Sequence, residues 1–224
     1  MTLFGISESR LGEMIKNFMV TSEPLVGITA KTGFLQISVM GFSVSIVEDC
    51  FSSIANIVKE YVISKEGKTP PEILIDICRD NKWNLGSIES CTGGLIADAF
   101  VSVPGSSEVF VAGAVSYSNN AKMNFANVSQ QSLNQFGAVS EEVVREMAIG
   151  FATKNQLDIC LASSGVAGPS GGTKEKPVGT VCLGLFMQGK TLTFTVKFGG
   201  NRQEIRARSV IHIIGLVIQN YNKK

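Results

Sequence analysis

Residues 85–101 of the chain read LGSIESCTGGLIADAFV, and this stretch decides the fold of the larger part of the protein. The short apolar run at 85–88 predicts a buried strand, and 93–101 predicts the helix that follows it. Gly93 and Gly94 begin this helix, where residues without a β-carbon permit a sharp turn from strand to helix. The stretch therefore predicts one strand-turn-helix unit of an α/β sheet.

The same alternation of strands and helices continues on both sides of this unit. The pattern predicts helices over 70–82, 93–101, 120–125, 140–153 and 202–220, and strands over 85–88, 109–116, 157–162, 179–187 and 191–198. Such alternation predicts a three-layer α/β/α domain, with helices on both faces of the sheet. The turn Gln188-Gly189-Lys190 predicts a hairpin between the last two strands, so the sheet should be mixed.

Residues 1–68 are predicted to form a separate, small α+β domain. Apolar residues at helical spacing predict helices over 9–18 and 46–62, and strands over 25–29 and 34–39 flank a turn at Lys31-Thr32-Gly33. The polar stretch 64–71 contains one glycine and two prolines, which end one helix and begin another. We place the boundary there, which gives domains 1–68 and 69–224.

Composition excludes several classes of protein. With 44% hydrophobic residues, 17% charged residues and a net charge of +1, the chain is neither disordered nor a dedicated binder of duplex DNA. The amino terminus lacks a signal peptide, and the apolar stretches are shorter than a membrane span of ~20 residues. We therefore expect a cytoplasmic protein with no membrane partner. The five cysteines form no CxxC pair, which argues against a disulfide framework or a zinc site.

His212 is the single histidine of the chain, and it lies in the apolar stretch SVIHIIGLVI. That position is typical of a core or boundary histidine. A Ser-His-Asp triad, a Cys-His pair or a histidine-built metal site is therefore not expected. Any hydrolytic chemistry would need Lys, Tyr, Asp or Glu as its proton carrier, and we expect neither a metal nor a cofactor.

Two polar clusters directly follow predicted strands. Residues 89–94, ESCTGG, open a helix, whose free N–H groups and positive dipole end favour an anion; the alternative is that the glycines only permit a tight turn. Residues 117–122, YSNNAK, follow the next strand, and such strand ends meet at one crevice of an open α/β sheet. Lys122 could therefore face Ser90 and, if desolvated, take its proton. The alternative is a solvated lysine at the start of a helix.

A third polar cluster follows the strand predicted at 157–162. Residues 165–172 contain four glycines and one proline, which predicts a loop that wraps a ligand or, alternatively, a connection without a role. Further on, Gly199-Gly200-Asn201 leads into the last helix. Arg202 at its start could bind a phosphate or a carboxylate through two N–H groups, although an ordinary surface arginine also fits this position.

Seven motifs, taken together and in this order, resemble the carboxy-terminal domain of the CinA family. They are ESCTGG (89–94), VPGSS (103–107), VSYSN (115–119) with Lys122, GAVSEEV (137–143), GVAGP (165–169), KPVGTV (176–181) and FGGNR (198–202). The resemblance covers roughly residues 70–224. Residues 1–68, with FGISES at 4–9 and TAKTG at 29–33, resemble the small KH-type middle domain of full-length CinA. They contain no clear GxxG loop, so nucleic acid is not an expected partner.

The resemblance implies an activity. Many members of the family are nicotinamide mononucleotide amidohydrolases, which produce nicotinate mononucleotide and ammonia in pyridine nucleotide recycling. It further implies that Ser90 is the nucleophile, that Lys122 is its general base, and that Tyr117 orients them or shares protons. The substrate-binding residues that it implies are Glu89, Thr92, Gly93, Gly94, Asn119, Ser164, Gly165, Gly168 and Arg202. A homodimer or a larger homo-oligomer is also implied.

The sequence departs from the family pattern in two places. It lacks the large amino-terminal domain of full-length CinA, which resembles molybdopterin-binding proteins and is linked to ADP-ribose pyrophosphatase activity, so we expect no such activity. Ser164 stands where the family commonly has threonine, which keeps a hydroxyl. The alternative function is a non-enzymatic binding or accessory protein linked to competence or recombination. A third hypothesis is an amidase that acts on a related pyridine nucleotide.

Overall fold

The computed structural model describes residues 1–222, and its first unit is an antiparallel sheet covered by two helices. The elements are β1 (Thr2–Leu3), α1 (Glu8–Ile15), β2 (Leu25–Lys31), β3 (Phe34–Met40), α2 (Val44–Ile57) and β4 (Val62–Ser64). The strand order is β2-β3-β1-β4, and every neighbouring pair is antiparallel. The small α+β unit is therefore present, whereas its KH-type likeness stays a prediction.

The second unit contains the five-stranded sheet that the sequence predicts. Its elements are α3 (Pro70–Asn81), β5 (Leu85–Glu89), α4 (Leu95–Val101), β6 (Phe110–Val115), α5 (Asn119–Ala126), α6 (Gln130–Phe136), α7 (Glu141–Asn155), β7 (Ile159–Gly165), β8 (Thr180–Met187), β9 (Lys190–Lys197) and α8 (Arg202–Asn222). The strand order is β6-β5-β7-β8-β9. Strands β6, β5 and β7 are parallel, while β8 and β9 are antiparallel to their neighbours. The mixed sheet is confirmed.

Helices cover both faces of this sheet, as predicted. One core contains apolar side chains of α3, α4 and α8, and the other contains those of α5, α6 and α7. Both cores pack against the buried strands β5 and β7, whose residues are almost all inaccessible to solvent. Strands buried on both faces are the reason why these stretches read as continuous apolar runs instead of alternating ones.

The parallel strands bring the predicted site residues to one edge. Ile88 of β5 lies beside Ala114 of β6 and Ala162 of β7, so the three strands end at the same level. The chain segments that follow them therefore emerge at one edge of the sheet, where open α/β folds bind ligands.

The two units pack against each other through α8. Phe4 of the first unit lies in the core that contains α8, and its ring is 5.5 Å from the ring of the half-buried His212. A β-carbon at Gly215 would approach the Phe4 ring to 2.5 Å, so only glycine fits there without a shift. Whether the two units are independent domains stays a prediction. Among residues 1–222, none of the helices combines the length and apolar character that a membrane crossing needs.

Candidate active site

Ser90 and Lys122 form a buried pair at the edge where the parallel strands end. Ser90 directly follows β5, and Lys122 lies one turn into α5, whose start is fixed by the Ser118 hydroxyl accepting the N–H of Ala121. Lys122 Nζ donates to Ser90 Oγ over 3.0 Å. Lys122 is only 1% exposed and Ser90 is 8% exposed. The structure therefore brings together the two residues that the sequence places 32 positions apart.

The surroundings of the Lys122 amine lower its pKa. Besides Ser90, Nζ contacts the backbone carbonyls of Ser116, at 2.9 Å, and Tyr117, at 3.3 Å. No carboxylate of residues 1–222 lies within 4.0 Å of Nζ, so no negative charge compensates an ammonium there. Burial lowers the pKa of Lys122 below its ordinary value. A lysine in these surroundings can act as a base at a lower pH than a solvated one.

Glu89 holds the turn that contains Ser90, and its predicted role in substrate binding stays a prediction. The carboxylate is fully buried and accepts the N–H groups of Gly94, Ile96 and Ala97 at 2.9–3.0 Å. The Ser87 hydroxyl donates to it as well. Its acceptor positions are thus filled by the protein, and its charge stabilises the positive end of α4. Glu89 therefore helps to position Ser90.

We expect Glu89→Gln to lower the free energy of unfolding by about 2–4 kcal/mol, because the amide cannot accept all three N–H groups and loses the charge. Urea unfolding followed by circular dichroism measures the change. Glu142 is the matched control, since it also lies in the first turn of a helix but is exposed. Glu142→Gln should change the same quantity by less than about 1 kcal/mol. Equal effects of the two substitutions would contradict a buried anchoring role.

The turn after Ser90 presents backbone N–H groups. Gly93 and Gly94 have φ angles of 60° and 99°, in the left-handed region that favours glycine. Neither the N–H of Thr92 nor that of Gly93 has an acceptor among residues 1–222. The N–H of Gly94 is bound to Glu89, so the prediction that Gly94 donates to an anion is wrong. The candidate anion donors are the N–H groups of Thr92 and Gly93.

Arg206 fixes the peptide that joins Thr92 to Gly93. Its Nε and Nη2 both donate to the Thr92 carbonyl, at 3.2 and 2.7 Å. In a trans peptide the C=O and the following N–H point in opposite directions, so the N–H of Gly93 points away from Arg206. The Thr92 hydroxyl is also held, 2.6 Å from the Ser163 hydroxyl. Sequence reasoning missed Arg206; the available signal was its position four residues after Arg202 on the same helix face.

Arg202 joins the loops that follow β6 and β7. Its Nη1 donates to the Gly168 carbonyl at 2.9 Å, and its Nη2 donates to the Tyr117 hydroxyl oxygen at 3.3 Å. The Tyr117 hydroxyl is therefore hydrogen-bonded to Arg202. Within residues 1–222, this hydroxyl forms no hydrogen bond with Ser90 or Lys122. This differs from the predicted proton-sharing role, since Tyr117 contacts the lysine through its backbone carbonyl alone. Its side chain is 66% exposed and lies at the entrance of the site.

Three further predicted substrate-binding residues lie outside this arrangement. The buried Ser164 hydroxyl donates to the Ala138 carbonyl at 2.6 Å, so its donor is used within the protein. Gly165 is needed for packing, because a β-carbon there would lie 2.9 Å from the Thr180 carbonyl oxygen on the neighbouring strand. Both residues thus have a structural role, and their predicted roles in substrate binding stay predictions. Asn119 is exposed at the start of α5, and its role stays a prediction.

Cys91 is the other nucleophilic side chain of the Ser90 turn. It is buried, and burial raises the pKa of its thiol to about 12. Because the thiolate is the reactive form, a thiol with such a pKa is inert near neutral pH. Within the described 222 residues, no group of three His, Cys, Asp or Glu side chains is arranged to hold a metal ion. Ser90 and Lys122 therefore stay the candidate catalytic residues of this site.

Comparisons with known proteins identify the family of this chain. The profile of the CinA C-terminal domain matches residues 68–220. A CinA-like protein of Kosmotoga olearia is 37% identical over 222 residues, which cover 96% of this chain and 54% of that protein. The chain thus spans about half the length of such relatives.

Two solved structures are similar to the chain. The competence/damage inducible protein CihA from Agrobacterium tumefaciens is 36% identical, with a TM-score of 0.65 over 67% of this chain and 93% of that one. A competence-damaged protein (CinA) superfamily protein from Escherichia coli is 31% identical, with a TM-score of 0.66 over 71% and 90% of the two chains. Both comparisons support the mixed α/β fold.

Proposed function

The chain belongs to the CinA family, and from this premise we propose that it is a nicotinamide mononucleotide amidohydrolase, which produces nicotinate mononucleotide and ammonia. One observation carries the proposal: the Ser90 hydroxyl lies 3.0 Å from a buried lysine amine whose pKa is lowered by burial. A serine beside a neutral amine is an activated nucleophile, and acyl transfer from an amide is the reaction that such a pair performs. We place this activity in cytoplasmic pyridine nucleotide recycling.

The first half of the reaction is the attack of Ser90 on the carboxamide carbon. The neutral amine of Lys122 takes the Oγ proton as the new C–O bond forms. The negative charge that develops on the carbonyl oxygen is stabilised by the N–H groups of Thr92 and Gly93. The C–N bond then breaks, and the proton on Lys122 passes to the leaving nitrogen, which departs as ammonia.

The second half releases the acid from the enzyme. A water molecule attacks the ester on Ser90, and Lys122 takes a proton from that water as it did from the serine. The ester bond breaks, the proton returns to Ser90 Oγ, and nicotinate mononucleotide leaves as the carboxylic acid, whose proton passes to the released ammonia, which becomes ammonium. One water is consumed and one ammonia is formed in each cycle, so the enzyme ends in its starting state.

The exposed Arg202 supports a position for the nucleotide end of the substrate beside Ser90 and Lys122. Arg202 is exposed there, between the loop that contains Gly168 and the side chain of Tyr117. A guanidinium binds phosphate through paired N–H donors, so we assign the ribose and phosphate to Arg202 and the Gly168 loop. Tyr117 contributes an exposed aromatic surface beside them.

The direct test measures ammonia and nicotinate mononucleotide after incubation of the purified protein with nicotinamide mononucleotide. Equal amounts of both products support the proposal. Folded protein that releases no ammonia would contradict it. Calorimetry then tests the alternative function. If it shows no mononucleotide binding but tight, salt-sensitive binding of single-stranded DNA, the results support the accessory protein linked to competence or recombination.

The pH dependence should report the amine of Lys122. The neutral amine is the base, so kcat/KM should rise with pH and fall as the amine becomes protonated below its pKa. Because burial lowers this pKa, the rise should be centred below the ordinary lysine value of about 10.4. Initial rates across buffers of constant ionic strength give the profile. A rate that is independent of pH throughout this range would contradict lysine as the base.

A further inference from the structure

Ser163 lies near the end of β7, beside the turn that contains the nucleophile, and the proposed mechanism assigns it no role. It is fully buried and pairs with Glu89 of β5. Its backbone carbonyl accepts the N–H of Ser90 over 2.9 Å. Its hydroxyl lies 2.6 Å from the hydroxyl of Thr92, further along the turn. One residue of the neighbouring strand therefore contacts the turn at two points, before and after Cys91.

The bond between these two hydroxyls fixes the side chain of Thr92. Thr92 is fully buried, like Ser163. In the part of the chain that the structure describes, Ser163 Oγ is the hydrogen-bond partner of the Thr92 hydroxyl. A buried hydroxyl that loses its partner costs free energy, because no water replaces the lost hydrogen bond. Thr92 is therefore confined to the side-chain position that reaches β7.

The backbone of Thr92 is held by a second element. Arg206 of α8 donates two hydrogen bonds to the Thr92 carbonyl. The side chain and the carbonyl of Thr92 thus have separate anchors, one on β7 and one on α8. Ser163 also fixes the start of the turn through the N–H of Ser90. The N–H of Thr92 lies between these anchored points, so its direction is set before a substrate binds.

The Thr92 N–H is one of the two candidate donors to the oxyanion, since it has no acceptor among residues 1–222. A donor stabilises a developing negative charge most when it already points at the position that the oxyanion will occupy, because no reorganisation is then needed during the reaction. An N–H that fluctuates in direction would give less stabilisation. The anchors of Thr92 therefore bear on the rate of the acylation step.

We propose that Ser163 is a positioning residue of the amidohydrolase site, whose hydroxyl directs the Thr92 N–H to the oxyanion by holding the Thr92 side chain. This inference rests on the proposed function, in which Ser90 attacks the carboxamide. Ser163 is fully buried and acts through Thr92, so it contributes to stabilisation of the transition state and not to binding of the nucleotide. The bond should therefore affect kcat and leave KM nearly unchanged.

Ser163→Ala tests this role by removing the hydroxyl while keeping the backbone carbonyl that accepts from Ser90. We expect kcat for ammonia release to fall about 10- to 50-fold, which is less than the ~10²–10³ that complete loss of an oxyanion donor costs. KM should change less than about threefold, and the pH profile should keep its midpoint, because Lys122 retains its own contacts. An unchanged kcat, or a raised KM with the same kcat, would overturn the proposal.

Ser209→Ala is the matched control for Ser163→Ala. Ser209 is also fully buried, and its hydroxyl donates to the Ile205 carbonyl of the same helix. The replacement removes the same atom from a buried position, so a general loss of stability affects both variants. Its kcat should stay within about twofold of the unchanged enzyme. Equal losses of kcat in the two variants would show a merely structural effect and would count against Ser163 as a positioning residue.

A double-mutant cycle with Thr92→Val tests the route through Thr92. Valine has nearly the shape of threonine but no hydroxyl, so it removes the same bond from the other side. If Ser163 acts through this bond, the second substitution should add little, and kcat of the double variant should lie within about threefold of that of Thr92→Val alone. Thr92→Ser keeps the hydroxyl and should retain most of kcat. Independent effects that multiply would contradict the proposed route.

Labelling of Ser90 by an alkyl fluorophosphonate separates this inference from the proposed function. Ser90 Oγ forms a bond to phosphorus, fluoride leaves, the serine proton passes to Lys122, and the phosphoryl oxygen takes the place of the oxyanion. Intact mass spectrometry gives the rate without nicotinamide mononucleotide, and Ser163→Ala should react at least about fivefold more slowly than the unchanged protein. Labelling without ammonia release would contradict the proposed function alone. Equal labelling rates of the two proteins, or no reaction of the unchanged protein, would overturn the role of Ser163.

Discussion

Ser90→Ala is expected to lower the rate of ammonia release from nicotinamide mononucleotide by at least about 10⁴-fold, the scale at which loss of a nucleophile acts in a serine hydrolase. The physical reason is that no hydroxyl of residues 1–222 other than that of Ser90 lies within hydrogen-bond distance of Lys122 Nζ. Without it the lysine has no nucleophile to activate. Initial rates of ammonia release measure the effect, and calorimetry should still detect binding of the mononucleotide.

Cys91→Ala is the matched control for Ser90→Ala. Cys91 lies in the same turn, and the replacement removes one heavy atom from a buried position, as it does at Ser90. Its thiol has a raised pKa and takes no part in the proposed reaction, so turnover should stay within about tenfold of the unchanged enzyme. The reverse result, an active Ser90→Ala and an inactive Cys91→Ala, would make the cysteine the nucleophile and would remove the proposed mechanism.

The proximity of Ser90 and Lys122 could be predicted from the sequence because it depends on one rule of topology. Each residue follows a strand of a parallel pair, and parallel strands end at the same edge. This rule predicts where the two segments lie, but it does not predict the directions in which their side chains point. Glu89 and Ser90 both stand at the end of β5, yet the carboxylate lies against the backbone of α4, whereas the hydroxyl reaches α5.

The elements that the sequence did not predict share a physical cause. Strands β1 and β4 contain two and three residues, too few for any periodicity. They form because β1 pairs with β3 on one side and with β4 on the other. Helix α6 reads QQSLNQF, in which polar residues dominate, and its start depends on the Ser129 hydroxyl accepting the N–H of Ser132. These elements are set by tertiary contacts, which a local pattern does not contain.

The role of Arg206 shows a second limit of sequence reasoning. Two arginines lie four residues apart on α8, but only the fold determines that Arg202 reaches the loop after β7 while Arg206 reaches the loop after β5. Both guanidinium groups donate hydrogen bonds to backbone carbonyls, and they thereby fix two loops whose glycines allow many backbone conformations. Helix α8 therefore holds one point of the loop predicted at 165–172 and one point of the turn at 89–94.

Lys122→Met is expected to lower turnover by about 10³-fold, within the range that a general base contributes, and to abolish the rise of kcat/KM with pH. Methionine is apolar and unbranched, so it keeps most of the packing of the buried lysine stem. Calorimetry should show that the mononucleotide still binds, because the phosphate and ribose contacts are assigned elsewhere. Lys154→Met is the control, since Lys154 is an exposed lysine of α7 whose Nζ donates to the Asn124 carbonyl of α5, the helix that contains Lys122. The turnover of the Lys154→Met variant should equal that of the unchanged enzyme.

Chemical rescue separates a lost base from a distorted site. Lys122→Ala leaves a space where the side chain was, and small primary amines added to the solution should restore part of its activity. Because the amine takes the serine proton in the transition state, the restored rate should increase with the basicity of the added amine, as Brønsted behaviour requires. A merely structural lysine would give no such correlation, since any amine that fits the space would rescue equally. Full activity of Lys122→Met, with an unchanged pH profile, would show that a group other than this lysine receives the proton of Ser90.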